Sequence, residues 1–475
     1  MKQLKKNIRQ VGICLCALFV LLAGYGAYNM IVNGNRWFSS SVNTFARQQK
    51  KNVIAGDVLD RGGVLLATTV EGKREYAADE ATRKAVVHVV GDSDANVNNG
   101  VESFMASYLY GFNMGFGERL SSVFRGDSRM GDTVQLTIDS RLSAYIAGIF
   151  PAGKAGAVVV MNYKTGEVLS SQSFPNFDPM NITYAVKNDP QKPFYNRAVQ
   201  GLYTPGSTFK IVTAASALQN MQDVQSRAFQ CTGIREYGPR IITDAGTDLE
   251  SGKITQHGQL TLLRAFQVSC NNTFAGLATE LGDEKLKKTA EAFGFNDNFL
   301  FRDLVVENSS YPTSNRNEGE IAWTGAGQSA LTASPLHMCM IAASVANDGV
   351  MMEPRLLLSA TSSQGTLRTE FAPKVYRTVM TESQAAVLQE YMRAVVTGGT
   401  GTAANISGVR VCGKTGSAEV DTQEETNAWF LGYLDEEESP YALAIVVEEG
   451  GGGGSVAAPA AKKIFQWMLE NGYAD

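Results

Sequence analysis

GAVVVMNYKTGEVLSSQS, residues 156–173, reads as two strands around a turn. VVVM and EVLSS flank Asn162-Tyr163-Lys164-Thr165-Gly166, a hairpin loop that contains a glycine. The far end of the chain carries the same style of signal. NAWFLGYL (427–434) and YALAIVVEE (441–449) are strand-like, and the acidic link 435–439 followed by Pro440 reads as their solvated connection. Five glycines, 450–454, end the second strand. After Pro459, the residues Ala461, Ile464, Phe465, Met468 and Leu469 recur with helical spacing, an amphipathic helix with proline near its start. The stretch between these ends, about 207–400, is rich in helical signals. The expectation is an α+β domain: an antiparallel sheet built from both ends of its segment, with a helical region inserted between.

Upstream, LTIDSRLSAYIAGIF (136–150) looks like a strand end followed by a helix, and a domain boundary is expected near 130–150. GDVLDRGGVLLA (56–67) places the turn signal DRGG between two apolar runs, which suggests another hairpin. Residues 68–130 show no clean period, and 36–55 read as a polar linker. The chain has 475 residues, roughly three domains' worth at about 150 each.

Composition excludes several classes. The formal charge is −5 and the pI near 5.5, which argues against a nucleic-acid binder that works by neutralising phosphates. Six cysteines are too few for a disulfide scaffold, and none forms a C-x-x-C pair. His88, His257 and His337 have no histidine partner at metal-ligand spacing, so neither a metal nor another cofactor is expected, and the three are read as structural. Phosphate-cradling and dinucleotide fingerprints are absent.

The amino terminus points to a membrane. Lys2, Lys5, Lys6 and Arg9 precede VGICLCALFVLLAGYGAYNMIV, residues 11–32. This run of 22 residues would be about 33 Å long as a helix, enough for the hydrocarbon core. The basic residues should remain inside, leaving the rest of the chain outside the cytoplasm. An uncleaved single-pass anchor is expected rather than a signal peptide, whose apolar stretch is shorter. The expected order is a tail at 1–10, an anchor at 11–32, a linker and smaller amino-terminal module at 36–150, and the main domain at 151–475.

Three short elements carry chemistry. In Pro205-Gly206-Ser207-Thr208-Phe209-Lys210, Ser207 and Lys210 share one helical face. A serine hydroxyl needs a base, and a lysine serves only if its ammonium is destabilised, which an apolar helix can do. Ser269-Cys270-Asn271 lies between two helical runs, where a hydroxyl could relay a proton and an amide could hold a substrate carbonyl. Cys412-Gly413-Lys414-Thr415-Gly416-Ser417 reads as a strand: Lys414 supplies positive charge, Thr415 and Ser417 supply hydroxyls on the opposite alternation, and Gly416 leaves room for a ligand beside the backbone. This suits an acyl substrate ending in a carboxylate that pairs with a strand edge. Each element alone is weak. Helix capping would explain the first two.

The ordered set S-x-x-K, S-x-N, K-T-G resembles that of the penicillin-binding proteins. More precisely the chain resembles their monofunctional class B type over nearly its whole length. The resemblance includes NRAVQGLYTPGSTFK (196–210), GAGQSALTASPLHM (325–338), ANDGVMMEP (346–354) and VVTGGTGTAA (395–404). It implies a penicillin-binding, serine β-lactamase-like transpeptidase fold behind a smaller amino-terminal module, in a short form without carboxy-terminal repeats or a glycosyltransferase domain.

By that resemblance Ser207 is acylated, Lys210 is its base, and Ser269, Asn271 and Lys414 complete the catalytic set. Thr415, Gly416 and Ser417 bind substrate, with Ser417 where the family often has threonine. The backbone N–H groups of Ser207 and Ser417 form the oxyanion hole. The implied reaction cross-links peptide stems that end in D-alanyl-D-alanine, with release of D-alanine and covalent inhibition by β-lactams. Lys210 is expected to be mainly neutral and Lys414 charged. A D,D-carboxypeptidase, a β-lactamase, and a non-catalytic β-lactam sensor or scaffold share some or all of these motifs. The implied partner is a polytopic membrane glycosyltransferase, contacted through the anchor and residues 36–130. Cys270 and Cys412 are expected to be free thiols near the cleft.

Overall fold

The computed structural model describes residues 2–38, 53–111, 130–313, 316–419 and 426–473, so the central part of the expected linker lies outside the described residues. The amino-terminal helix runs Lys2–Phe38. Within it, Lys5–Tyr28 is long and apolar enough to cross a membrane, and none of that span is buried against the protein.

In chain order the strands are β1 (Val58–Leu59), β2 (Leu65–Val70), β3 (Lys73–Tyr76), β4 (Thr133–Leu136), β5 (Gly156–Asn162), β6 (Val168–Phe174), β7 (Phe229–Cys231), β8 (Ile234–Tyr237), β9 (Arg240–Thr243), β10 (Gly258–Leu260), β11 (Val350–Met352), β12 (Leu357–Thr361), β13 (Leu367–Glu370), β14 (Val375–Thr378), β15 (Val411–Ala418), β16 (Asn427–Leu434) and β17 (Tyr441–Val447). β15-β16-β17-β5-β6 form one antiparallel sheet, whose strands come from the two ends of residues 156–447. The helical segment between them packs on one face. Every residue of the helix Pro335–Ala346 is buried there.

Alternation along these strands decides the layers. Val159, Met161, Leu431, Tyr433, Ala444 and Val446 face the helical insert. Val158, Val160, Phe430, Leu443 and Ile445 face the helices Ser140–Ile149 and Ala457–Glu470. Both faces are covered, so the strands read as unbroken apolar runs rather than as alternation. Each fully buried aliphatic side chain stabilises the fold by about 1.5–3 kcal/mol. The β5–β6 and β16–β17 hairpins, the amphipathic last helix and the α+β layering agree with the sequence expectation.

A second sheet has the order β13-β12-β4-β1-β2-β3. The DRGG turn joins β1 to β2, and β1 runs parallel to β4. Asp60 closes that turn by accepting the backbone N–H groups of Gly62 and Val64, each at 2.8 Å. β12 and β13 come from far downstream, with Ala360 paired to Val134. A long-range pairing of this kind has no local signature.

Candidate active site

The first motif sits on a 3-10 turn, Gly206–Phe209, which runs directly into the helix Lys210–Asn220. Gly206 adopts φ +56°, and a Cβ there would stand 3.0 Å from Ser417 O. The turn therefore lies against β15, the edge strand of the five-stranded sheet. Gly327 seats its other side, because a Cβ on Gly327 would fall 1.7 Å from Gly206 O. Thr208 Oγ1 donates to Pro205 O at 2.6 Å, and Trp429 Nε1 donates to Thr204 O at 3.1 Å. Ser207 is half-buried at this junction and Lys210 is fully buried.

The second motif is a helix-to-helix junction. The helix Leu262–Gln267 ends with Cys270 N–H donating to Ala265 O and Ser269 N–H to Phe266 O. Ser269 has φ +60°. This is the paired-bond helix terminus that usually puts glycine at the left-handed position. A serine there trades backbone ease for a hydroxyl aimed at the cleft. Cys270 then caps the helix Asn271–Leu281.

The third motif occupies β15. Lys414 points toward the helical side and is fully buried. Lys414 Nζ donates to Ser269 Oγ at 2.9 Å and to Thr415 O at 3.0 Å. Lys210 Nζ donates to Ser269 O at 2.7 Å, Ser269 Oγ at 3.2 Å and Asn271 Oδ1 at 2.6 Å. One serine hydroxyl thus joins two buried lysines. Phe274 lies under Lys210 and Phe266 under Lys414, so each cation also faces an aromatic ring. Thr415 and Ser417 take the opposite alternation. Thr415 Oγ1 is 2.5 Å from Thr400 Oγ1, and Ser417 Oγ accepts Gly453 N–H at 3.3 Å. Gly416 is pressed by the nucleophile turn: a Cβ would meet Thr208 Cγ2 at 3.0 Å and Pro205 O at 3.1 Å.

All eight residues singled out from the sequence therefore converge on one junction. Ser207 Oγ makes no hydrogen bond among the described residues; the Lys210 ammonium engages the second motif instead. Burial pushes Lys210 down to about 8, with the Asp244 carboxylate holding against it. Burial pushes Lys414 well below its ordinary value, and the neighbouring Lys210 pushes it further. The direction for Lys210 agrees with expectation, but a value of about 8 leaves the group mostly protonated at pH 7 rather than mainly neutral. Lys414 has no carboxylate among its described partners, whereas Lys210 has an amide oxygen and the nearby Asp244.

Asp244 was not singled out from the sequence. Asp244 is buried behind the second motif and accepts the backbone N–H groups of Asn271 and Asn272. Cys231, Asp244, His257 and Cys270 gather their side-chain donor atoms within 4.8 Å of one another. These residues lie 13 positions apart in succession, so no short metal-binding spacing announces them. His88 and His337 are core residues bonded to the carbonyls of Pro193 and Phe293, as a structural reading expects. Cys270 lies beside Cys231 rather than in a pair with Cys412, and all six cysteines are free.

Residues 156–466 match the family model described as the penicillin binding protein transpeptidase domain. The peptidoglycan D,D-transpeptidase PbpA of Mycolicibacterium smegmatis is 27% identical over 469 residues, covering 93% of each chain. The crystal structure of the D,D-transpeptidase domain of a peptidoglycan glycosyltransferase from Eggerthella lenta superposes with a TM-score of 0.76 at 31% identity, covering 88% of this chain and 99% of that one. The penicillin G acyl-enzyme complex of penicillin-binding protein A from M. tuberculosis superposes with a TM-score of 0.77 at 26% identity, covering 88% and 99%. With about two thirds of its length matched by that model and its three motifs folded onto one cleft, the chain belongs to the penicillin-binding protein transpeptidase family.

Proposed function

We propose that the chain is a class B peptidoglycan D,D-transpeptidase, in which Ser207 is acylated by a stem peptide ending in D-alanyl-D-alanine. The observation that carries this reading is Ser269 Oγ between Lys210 Nζ and Lys414 Nζ, beside the Ser207 turn. Such a bridge links the base of the first motif to the cation of the third through one exchangeable hydroxyl.

Lys210, eased toward neutrality by burial, takes the Ser207 proton as Oγ attacks the penultimate carbonyl. The N–H groups of Ser207 and Ser417 receive the developing oxyanion, an effect for which one donor is typically worth about 3–4 kcal/mol. Ser269 relays the proton to the departing D-alanine amine. Asn271 holds Lys210 and then the substrate amide. Lys414 becomes fully charged when the terminal carboxylate arrives, and Thr415 and Ser417 receive the same end of the substrate across Gly416. An amine from a second stem then attacks the acyl-enzyme and regenerates Ser207. β-Lactams enter the same path and stop at the acyl-enzyme.

The apolar run 11–32 of the amino-terminal helix anchors the chain as a single pass, with Lys2, Lys5, Lys6 and Arg9 in the cytoplasm and residues 36–475 outside. Residues 36–130 and the anchor contact a polytopic glycosyltransferase that supplies glycan strands.

The test is product analysis with membrane-bound precursor and an added amine acceptor. Release of D-alanine together with a new cross-link is expected. Release of D-alanine with water as the only acceptor would instead identify a D,D-carboxypeptidase.

A further inference from the structure

Four side chains from four separate segments meet directly behind Ser269-Cys270-Asn271. Cys231 ends β7, Asp244 follows β9, His257 precedes β10, and Cys270 caps the helix Asn271–Leu281. Pairing of β7 with β10 brings Cys231 opposite Gly258, which sets His257 beside it. Cys231 Sγ lies 2.7 Å from Asp244 Oδ2 and 3.5 Å from His257 Nδ1. Cys270 Sγ is 3.4 Å from the same oxygen, and His257 Nδ1 is 3.3 Å from it. Cys231, Asp244 and Cys270 are buried and His257 is half-buried.

Protons alone serve this cluster poorly. Two thiols and an imidazole nitrogen all face one carboxylate oxygen, which offers two lone pairs. The sulfurs, in turn, sit where acceptors belong. Cys270 Sγ receives Thr273 N–H at 3.4 Å and Thr273 Oγ1 at 3.2 Å, and Cys231 Sγ receives His257 N–H at 3.4 Å. A neutral thiol is a weak acceptor, whereas a metal-bound thiolate is a good one.

We propose that Cys231, Asp244, His257 and Cys270 bind one structural zinc ion that positions the second motif. Two soft thiolates, an imidazole and one carboxylate oxygen form a four-donor set suited to tetrahedral zinc. Such a tetrahedron has edges of roughly 3.3–3.8 Å, which the spread of donor distances brackets. On binding, each cysteine releases its thiol proton, and His257 coordinates through Nδ1 with its proton on Nε2. The second carboxylate oxygen, Asp244 Oδ1, stays on the N–H groups of Asn271 and Asn272. The ion thereby ties the start of that helix to β7, β9 and β10. Asn271 Oδ1, held in this way, meets Lys210. The metal touches no reacting atom; its role is positioning.

The experiment uses the full chain, purified without a histidine tag and without added chelator. Metal analysis should find close to one zinc per chain, in the wild type and equally in Ser207→Ala, since the site does not depend on the catalytic reading. His257→Ala and Cys231→Ser should lose most of the zinc, lower the Tm, and slow acylation by a fluorescent penicillin by roughly tenfold or more. If these variants do not fold, cobalt substitution of the wild type decides: a thiolate-to-cobalt charge-transfer band and the intense visible bands of tetrahedral cobalt are expected. A folded, acylating wild type that neither contains zinc nor takes it up would overturn the proposal. So would zinc retained in both variants, cobalt uptake without the thiolate band, or a disulfide linking Cys231 to Cys270.

Discussion

Lys210 Nζ donates to Asn271 Oδ1 at 2.6 Å, across the gap between the first and second motifs. The same nitrogen also reaches Ser269 O and Ser269 Oγ. The base is thus held by the second motif before substrate arrives, and its basicity follows from what that motif presents.

Changing the amide should therefore change the base. Asn271→Ala removes a charge-assisted hydrogen bond worth about 1.5–3 kcal/mol. Second-order acylation by a fluorescent penicillin should fall roughly 10- to 100-fold. Asn271→Asp puts a carboxylate beside Lys210 and holds the ammonium protonated, so its pH profile should move upward. An unchanged profile in Asn271→Asp would show that Lys210 does not titrate in the rate.

For the wild type the direction is fixed by the same group. Lys210 must be neutral to act as base, and burial brings it down to about 8. Acylation should rise with pH from 7 to 9 and level off above, with Lys210→Ala acylating negligibly at every pH. A flat profile would remove Lys210 from the base role.

Lys414 gives a separate test. Its ammonium is destabilised in the free protein, and an arriving carboxylate restores it. In Ser207→Ala, which cannot be acylated, noncovalent β-lactam binding should take up protons. Calorimetry in buffers of different ionisation enthalpy measures this directly. Lys414→Met should abolish the uptake and weaken binding; proton uptake that survives the substitution would assign it elsewhere.

The core histidines set an acid limit on stability. Burial brings His88 and His337 down to about 4, whereas the unfolded chain protonates near 6.5. The folded state then binds fewer protons, so stability is retained above about pH 6.5 and lost progressively as pH falls toward 4. Each histidine contributes a slope of up to about 1.4 kcal/mol per pH unit in that window. Denaturant unfolding of His88→Asn and His337→Gln across pH 4–7 should show shallower slopes than the wild type.

Much of this architecture was legible because its signals are local. The hairpins at 156–174 and 427–447 carry their own turns, and the last helix carries its own period. The three motifs were legible as residue types in order. Their convergence on Ser269 Oγ depends on Gly206 and Gly327, whose missing side chains let the nucleophile turn lie against β15. The entry of β12 and β13 into the amino-terminal sheet and the gathering of Cys231, Asp244, His257 and Cys270 depend on contacts between distant segments. A serine at φ +60° was equally hidden, since its sequence neighbourhood reads as an ordinary helix junction.

The account turns on Ser207. The most direct measurement is peptide mass spectrometry of the full chain after labelling with a fluorescent penicillin, with Ser207→Ala as the control. The adduct should map to the peptide containing Ser207, on that side chain alone, and the folded Ser207→Ala protein should take no label. An adduct on Ser269 or any other residue, or undiminished labelling of Ser207→Ala, would contradict the account.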